Sequence, residues 1–436
     1  MTGDSIVRFA QRMEQLPPYL FGMINNMRMK KRAEGDDVID LGMGNPIDPA
    51  PDAVTRKLCE VVQDPKSHRY PVAAGLRNLR KEIAKYYERD YGVSLDSENE
   101  VICTIGSKEG ISHLCLALVG PGDTVLVPTP AFPIHVYATI IAGGNVIRIP
   151  LAEEDVFLSR IATMCESLYP SPKVLILNYP HNPTGALASL DLFTEVVKLA
   201  RKYRFMVIQD FAYAKVTFDG YHAPSLMQVP GARNVGVEFG SFSKSYNMAG
   251  WRIGYCVGNR EIIQGLAKIK GYYDYGIFSA IQIAGIVALR DCDADVVQQV
   301  RVYQQRRDVL CHGLRRIGWP VSEPRAGMFV WTRIPPPYDS MGSMEFGIKL
   351  MEEANVAVAP GIGFGEEGEG YLRLALVENV HRIRQALRQM GKVLKGLKSP
   401  AETVEPREEV STASSSEMRD CSDGGEAQVN PMEMSR

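Results

Sequence analysis

The feature that most constrains the fold is a repeated alternation between short apolar runs and amphipathic segments, from about residue 100 to residue 260. The runs are rich in β-branched residues and apolar on both faces, which is typical of buried strands in a mostly parallel sheet. The segments between them place apolar residues on one helical face, as helices that cover such a sheet do. The pattern therefore predicts an α/β domain in which helices cover a mostly parallel sheet. The apolar runs are VICTI, TVLVP, NVIRIP, VLILNYP, FMVIQD, GVEFGS and IGYCV.

The pattern changes after about residue 290, where long amphipathic helices and a few strands predict a second, smaller α+β domain. We expect a large domain over residues 48–290 and a small C-terminal domain over residues 291–398. Residues 1–47 would form an N-terminal arm and part of the small domain. Residues 399–436 contain no aromatic residue and many Ser and Glu, so we predict that they are disordered.

Charge and cysteine content exclude several classes of protein. The chain has 49 basic and 51 acidic side chains and a net charge of −2, which argues against general binding to nucleic acid or to an acidic membrane surface. None of the eight cysteines forms a C-x-x-C pair, and the seven histidines show no ligand spacing, so we predict no metal site. The N-terminus lacks the pattern of a signal peptide, and no run of about 18 apolar residues occurs, so we expect a cytoplasmic protein.

A lysine flanked by hydroxyl residues follows the apolar run GVEFGS. Ser241, Ser243 and Lys244 precede a glycine-flanked Arg252. Hydroxyls and a guanidinium can bind a phosphate, and a nearby amine can form a Schiff base with an aldehyde. This combination indicates a site for a phosphorylated aldehyde cofactor.

Three other segments place polar residues after apolar runs. Asp210 is the last residue of the run FMVIQD, and Tyr213 follows three residues later. A buried acid at the end of a strand needs a cationic partner, and a protonated ring nitrogen of a ligand is a candidate. Asn182 lies in an Asn-Pro turn that can equally be an ordinary loop. Ser107 and Lys108 begin a helix after VICTI, where backbone N–H groups can bind a phosphate.

Taken together, these motifs resemble the class I/II aminotransferases, which are fold-type I enzymes that use pyridoxal 5′-phosphate. The resemblance rests on the NPTG motif, on an Asp followed three residues later by a Tyr, and on the pattern S-x-S-K-x5-G-x-R-x-G. It covers about residues 15–398. A closer similarity, to bacterial glutamate–pyruvate (alanine) aminotransferases and then to LL-diaminopimelate aminotransferases, rests on PPYLF, MGNP, TIGSKEG, FSKSYNMAGWRIG and PGIGFG.

The resemblance implies how the large domain would bind this cofactor. Lys244 would form the Schiff base with it and then move the proton between the cofactor and the substrate Cα, while Asp210 would keep the pyridine nitrogen protonated. Tyr213 and Asn182 would hydrogen-bond the phenolate oxygen of the ring. Phe132 would stack on the ring, where many relatives have Tyr or Trp.

The resemblance also implies a phosphate site, a substrate site and a homodimer. Tyr70 would reach the phosphate of the neighbouring subunit, so that the two active sites are shared. Arg373 would bind the substrate α-carboxylate bidentately, helped by Gly44 and Asn182. The residues around the phosphate would be Ser107, Lys108, Ser241, Ser243 and Arg252.

The implied activity is ping-pong transamination between an L-amino acid and a 2-oxo acid, without nucleic-acid or membrane partners. We expect L-alanine and 2-oxoglutarate to give pyruvate and L-glutamate, a reaction of alanine biosynthesis; LL-diaminopimelate or another amino acid is the alternative donor. A pocket that takes both alanine and glutamate should lack a rigid second arginine, because its charge would be unpaired when alanine binds. A lyase on the same fold is an alternative activity. A DNA-binding regulator is disfavoured, because only about 45 residues precede the MGNP segment.

Some aromatic and histidine residues receive a structural interpretation. His135 and His181 lie near motif segments and could line the pocket, but we favour a structural or surface role. The aromatic cluster Tyr272-Tyr273-Asp274-Tyr275 is predicted to fill the core or an interface.

Overall fold

The computed structural model describes residues 6–396, so the tail predicted to be disordered over residues 399–436 lies outside the described residues. The strands are β1 (Ile39–Asp40), β2 (Val101–Thr104), β3 (Thr124–Thr129), β4 (Asn145–Pro150), β5 (Val174–Asn178), β6 (Met206–Asp210), β7 (Gly236–Ser241), β8 (Gly254–Gly258), β9 (Phe329–Arg333), β10 (Val356–Ala357), β11 (Ala359–Pro360) and β12 (Tyr371–Ala375).

Helices follow most of these strands. The α-helices are α1 (Leu20–Ala33), α2 (Asp52–Val61), α3 (Arg77–Tyr91), α4 (Ser107–Leu118), α5 (Pro133–Ile141), α6 (Glu154–Ser167), α7 (Leu190–Tyr203), α8 (Ala232–Val235), α9 (Phe242–Ser245), α10 (Arg260–Tyr273), α11 (Ser279–Asp291), α12 (Asp293–Arg316), α13 (Ser343–Ala354) and α14 (Val380–Leu394). Short 3-10 helices span Gln11–Met13, Pro65–His68, Leu226–Gln228, Ala249–Trp251, Gly361–Phe364 and Glu366–Gly368.

A seven-stranded sheet with the order β2-β8-β7-β6-β5-β3-β4 lies at the centre of the described chain. Neighbours from β4 to β7 pair in parallel, whereas β8 is antiparallel to both β7 and β2. The segment between β7 and β8 holds only α9 and a short 3-10 helix, so it does not form the covering crossover that a parallel pair needs. The predicted α/β class with a mostly parallel sheet is confirmed, and each predicted apolar run contributes one strand.

Both faces of this sheet are covered, which explains why its strands are mostly apolar. In β5, Leu175 and Leu177 belong to the apolar cluster on one face. Val174 and Ile176 belong to the cluster on the other face. Successive side chains of a strand point to opposite faces, so a strand covered on both sides favours apolar residues on both. The buried polar exceptions inside these strands are paired by hydrogen bonds, as Gln209 in β6 and Glu238 in β7 show.

The covering helices form for local reasons that the sequence contains. In α7, the Ser189 hydroxyl accepts a hydrogen bond from the Leu192 N–H at 2.9 Å and so caps the helix start. The helix then buries one apolar face, including Phe193, Val196 and Val197, and ends at Arg204 in the left-handed conformation.

A third apolar cluster lies around the antiparallel sheet β11-β12-β9 and helices α12 to α14. It contains the fully buried Trp319, Tyr303 and Phe346. The short strand β1 of the predicted arm pairs in parallel with β10. The boundaries proposed at residues 47, 290 and 398 stay predictions, and the described residues all belong to one compact unit.

None of the helices in the described part of the chain combines the length and the apolar character that a transmembrane span needs.

Candidate active site

A cavity of about 240 Å³ lies at the carboxyl ends of β5, β6 and β7. These ends carry Asn178, Asp210 and Ser241, and they are adjacent because the three strands are neighbours in the sheet. Ligands of open α/β sheets bind at this edge. The cavity brings together these residues named from the sequence: Gly44, Ser107, Lys108, Phe132, Asn182, Asp210, Tyr213, Ser241, Ser243, Lys244, Arg252 and Arg373.

Lys244 extends into the cavity from α9, directly after β7. The Ser241 hydroxyl accepts a hydrogen bond from the Ser243 N–H at 3.1 Å, which caps this short helix. The Lys244 Nζ donates a hydrogen bond to the carbonyl oxygen of Gly44 at 2.5 Å. Desolvation, and then the charges of Arg373 and Arg252, lower the pKa of this amine to about 8. Lys244 can therefore release its proton near neutral pH, as a nucleophilic or proton-carrying amine must.

Asp210 is the last residue of β6 and is buried. Its Oδ2 lies 3.0 Å from Nε2 of His135, and its Oδ1 accepts a hydrogen bond from the Ala212 N–H at 3.2 Å. His135 is 2% exposed, so of the structural or surface role favoured from the sequence the surface alternative does not hold, and the buried contact with Asp210 agrees with the structural one. Its position three residues after Phe132, in the first turn of α5, is the signal in the sequence that could have indicated it.

His181 is also buried, next to His135. Its Nδ1 lies 2.8 Å from the Thr184 hydroxyl. Burial, and then the neighbouring His135, lower the pKa of His181 to about 3, so its ring is neutral at physiological pH. The structural role expected for this residue agrees with its contacts.

Arg373 in β12 lies beside Asn182 in the cavity wall. Its guanidinium donates to the Asn182 Oδ1 at 2.9 Å and to the Gly42 carbonyl oxygen at 2.8 Å. Burial lowers the pKa of Arg373 to about 10. Its Nε is buried and has no hydrogen-bond partner among the described residues. A buried unsatisfied donor is costly, so this guanidinium is prepared for an anionic ligand.

Tyr213 lies on the other side of Asn182. The Asn182 Nδ2 donates to the Tyr213 hydroxyl oxygen at 3.5 Å. Burial raises the pKa of Tyr213, so the phenol keeps its proton and can donate it in a hydrogen bond. Its ring packs edge-on against Phe329, with ring centroids 5.8 Å apart.

Two glycines bring the start of α4 next to Arg252. Gly106 has φ +77°, and a Cβ there would lie 2.5 Å from the Arg252 Nη2. A Cβ on Gly254 would lie 2.9 Å from the backbone nitrogen of Ser107. This close approach places helix N–H groups and a guanidinium around one point, which is a suitable site for a phosphate dianion.

The donor set of the cavity fits a phosphorylated aldehyde cofactor with a basic ring. Lys244 offers an amine, Asp210 offers a buried carboxylate, and the residues near Arg252 offer the phosphate site. The sequence of the chain matches the family described as aminotransferase class I and II over residues 36–388. The chain belongs to this family. It is therefore a pyridoxal-phosphate-dependent aminotransferase of fold type I, as the resemblance implied.

The relatives of this aminotransferase agree on the family and differ in their substrates. It is 49% identical over 380 residues to the glutamate-pyruvate aminotransferase AlaC of Escherichia coli, covering 86% of this chain and 92% of AlaC. It is 44% identical over 384 residues to an LL-diaminopimelate aminotransferase of Syntrophobacter fumaroxidans, covering 88% and 98%. In structure it is similar to substrate-bound BacF of Bacillus subtilis, with a TM-score of 0.84 and 30% identity, covering 89% of this chain and 98% of BacF.

Tyr70 is the predicted site residue that does not line the cavity. It is 90% exposed, and its ring lies 5.8 Å from that of Tyr275. Tyr272, Tyr273 and Tyr275 are also exposed. The prediction that this aromatic cluster fills the core is therefore wrong for the single chain. The interface alternative stays a prediction.

One cluster of two acidic residues and a histidine has side chains close enough to bind a metal ion, although we predicted no metal site from the sequence. Candidate ligand atoms of Glu109, His113 and Asp274 lie within 4.8 Å of one another. The buried Lys270 Nζ lies 2.9 Å from Asp274 and 3.2 Å from Glu109. The side-chain ammonium group of Lys270 therefore already supplies the positive charge that Glu109 and Asp274 require.

Proposed function

We propose that the enzyme transfers the amino group of L-alanine to 2-oxoglutarate and forms pyruvate and L-glutamate by a ping-pong mechanism. The 49% identity to AlaC, a glutamate-pyruvate aminotransferase, is the observation that carries this proposal. The lining of the cavity supports it, because among the residues that the structure describes its arginines are Arg252 and Arg373. A site without a third, fixed arginine leaves no unpaired charge when the small side chain of alanine binds.

Lys244 and Asp210 are proposed as the residues that move and hold protons. When bound, pyridoxal 5′-phosphate supplies an electron sink for the charge left by removal of the Cα proton. Lys244, with a pKa near 8, binds the cofactor aldehyde and carries the proton from Cα. Asp210 keeps the ring nitrogen protonated, and His135 orients its carboxylate from 3.0 Å.

The remaining cavity residues are proposed to orient the ring and the substrate. Phe132 would stack on the cofactor ring, while Tyr213 and Asn182 would hydrogen-bond its phenolate oxygen. Arg373 binds the α-carboxylate, for which its unpartnered Nε is one support. Gly44 closes the same subsite, where a Cβ would lie 2.6 Å from the ring of Phe329.

The phosphate is proposed to bind where α4 begins. N–H groups of the helix start, hydroxyl groups and one guanidinium point to the same place. The residues concerned are Ser107, Lys108, Ser241, Ser243 and Arg252.

We propose that the active unit is a cytoplasmic homodimer in which Tyr70 reaches the phosphate of the partner subunit. Its exposure together with that of Val72, Tyr272 and Tyr275 supports this, because a group of exposed apolar side chains is typical of an interface. All seven cysteines in the described residues are free thiols, which suits a reducing compartment.

The proposal is tested by comparing two amino donors. With 2-oxoglutarate as acceptor, kcat/KM should be higher for L-alanine than for LL-diaminopimelate. The second donor is the alternative because several relatives, at 41–44% identity, are LL-diaminopimelate aminotransferases. A value for LL-diaminopimelate that is about tenfold or more above that for L-alanine, about 1.4 kcal/mol in transition-state binding, overturns the proposal.

A further inference from the structure

One face of α12 contacts both segments that hold Lys244. Gln299, Tyr303 and Arg306 follow one another at intervals of four and three residues, so they lie on the same side of this helix. None of the three lines the cavity. Each of them hydrogen-bonds a residue of α9 or of a loop that borders the cavity.

The first of these loops directly follows α9, which carries Lys244 itself. The Gln299 Nε2 donates a hydrogen bond to the carbonyl oxygen of Lys244 at 2.5 Å. The Tyr303 hydroxyl donates to the Asn247 Oδ1 at 3.4 Å, three residues further along the chain. Asn247 has a positive φ of 52°, a conformation that needs support from its surroundings. The helix therefore holds the backbone from which the lysine extends.

The second loop carries the carbonyl group that accepts from the lysine. Arg306 is 3% exposed and forms a bidentate ion pair with Asp48, at 2.6 and 2.7 Å. Asp48 lies four residues after Gly44, whose oxygen accepts the hydrogen bond from the Lys244 Nζ at 2.5 Å. A bidentate pair on a buried guanidinium has a defined geometry, so it fixes the position of this loop relative to α12.

The two loops also contact each other, because the Asn247 Nδ2 donates to the Pro49 carbonyl oxygen at 3.3 Å. One helix face thus holds the backbone of Lys244 at one end and the partner of its amine at the other. We propose that Gln299 and Arg306 are positioning residues that set the place of the Lys244 amine for proton transfer. This inference rests on the proposed role of Lys244 and adds to it the elements that control its position.

The expected effect follows from the sensitivity of catalysis to distance. A displacement of about 1 Å at a catalytic group can cost about a hundredfold in rate without loss of substrate binding. Loss of the Gly44 acceptor also disfavours the charged amine, so the pKa of Lys244 should fall.

Arg306→Gln is tested beside Arg307→Gln. Arg307 is the next residue of the same helix, equally buried, and binds Asp219 with both of its terminal nitrogens, away from Lys244. Both variants should lose stability. Only Arg306→Gln should lower the rate constant of the amino-donor half-reaction, by about ten- to a hundredfold, with a KM within about threefold of the wild type. The half-reaction uses the donor that the wild type accepts best, so a wrong substrate assignment does not affect the comparison.

A second readout does not depend on turnover. The rate at which the full-length, cofactor-free protein captures added pyridoxal 5′-phosphate should rise with pH, with a midpoint near 8 in the wild type. In Arg306→Gln this midpoint should fall by about half a unit or more, and in Arg307→Gln it should not change.

Gln299→Met and Gln305→Met form a second pair, in case Arg306→Gln does not fold. Gln305 lies on the exposed side of α12, so its replacement should have no effect. Gln299→Met should lower the half-reaction rate and leave KM nearly constant. The proposal is wrong if Gln299→Met behaves like Gln305→Met, or if the two arginine variants change rate and pH midpoint equally.

Discussion

At the scale of single residues, the cavity is a site of excess positive charge. Its lining includes Lys108, Lys244, Arg252 and Arg373, whereas Asp210 is its one carboxylate within the described residues. No described carboxylate lies within ion-pair distance of Lys108 or Arg252. This imbalance favours ligands that bring several negative charges, such as a phosphate dianion together with an α-carboxylate.

Replacement of Lys244 is the sharpest test of the residue roles. Lys244→Ala should lower kcat by several orders of magnitude, because no other amine among the described residues donates to the Gly44 oxygen. The wild type should absorb visible light and lose this absorbance with borohydride, and the variant should do neither. Lys173→Ala is the control, since this lysine forms only a partly exposed ion pair with Asp123. A Lys244→Ala enzyme as active as this control contradicts the assignment.

Glu238 gives a prediction about pH and stability. It lies fully buried in β7 and accepts hydrogen bonds from Tyr87 at 2.7 Å, from Ser225 at 2.6 Å and from the Leu226 N–H at 2.8 Å. Burial outweighs these donors and raises the pKa of Glu238 to about 7 from its ordinary value of 4.5. Between these pH values the native state holds a proton that the unfolded chain has released, so the free energy of unfolding should fall as the pH rises through this window.

Glu238→Gln removes this dependence, because the amide stays neutral at every pH. The comparison is denaturant unfolding of both holoenzymes at about pH 5 and about pH 8. The wild type should lose more stability than the variant over this interval. An equal loss in both proteins would show that another group is responsible.

At the scale of elements, the strands were predictable and their pairing partly was not. The run VLILNYP is apolar on both faces, which is typical of a strand buried between two helical layers. The antiparallel direction of β8 depends on what lies between β7 and β8, and this short segment has no periodicity from which the direction could be predicted. The pairing of the two-residue strands β1 and β10 joins Ile39 to Val356, and so distant a contact has no local signal.

In the site, too, residues with a local sequence signal could be predicted and contacts between distant residues could not. Lys244 and Asp210 could be predicted because each follows a recognisable strand within a motif. The contact of His135 could not be predicted in the same way, because its position three residues after Phe132 indicates nearness to the site but does not identify Asp210 as the carboxylate that packs against it.

Packing between β7 and β8 gives a prediction at this scale. A Cβ on Gly240 in β7 would overlap the ring of Tyr255 in β8. This ring is buried against Tyr86, Tyr87 and Phe242, so it cannot move aside. Gly240→Ala should therefore lower the free energy of unfolding by about 1–3 kcal/mol or more in a urea titration.

The matched control for Gly240 is Gly250→Ala. A Cβ there has no atom within 4 Å, and Gly250 does not have a positive φ. Its unfolding midpoint should be close to that of the wild type. Equal midpoints for the two variants would show that β8 adjusts to the extra methyl group.

At the scale of the whole molecule, a chain of contacts connects the cavity to the exposed aromatic residues. Lys270 in α10 binds Glu109 in α4, one residue after Lys108 of the proposed phosphate site. It also binds Asp274, whose carboxylate accepts a hydrogen bond from the Gly276 N–H at 2.7 Å. A Cβ on Gly276 would lie 3.0 Å from the Val72 oxygen, so this loop packs against the segment that follows Tyr70. These contacts therefore fix the position of the exposed face that would meet a partner subunit relative to the proposed phosphate site.

This arrangement predicts complementation between two inactive variants. If Tyr70 reaches the phosphate of the partner subunit, a mixed dimer of Lys244→Ala and Tyr70→Ala contains one site with both an intact Lys244 and an intact Tyr70. Each variant alone should have low activity, because every site of its homodimer lacks one of these side chains. The two chains, carrying different affinity tags, are produced together, and the mixed dimer is purified and assayed at saturating cofactor. Its activity should rise well above that of either parent. If Tyr70 served the site of its own chain, the intact lysine would always lie beside the altered tyrosine, and the mixed dimer would be as inactive as its parents.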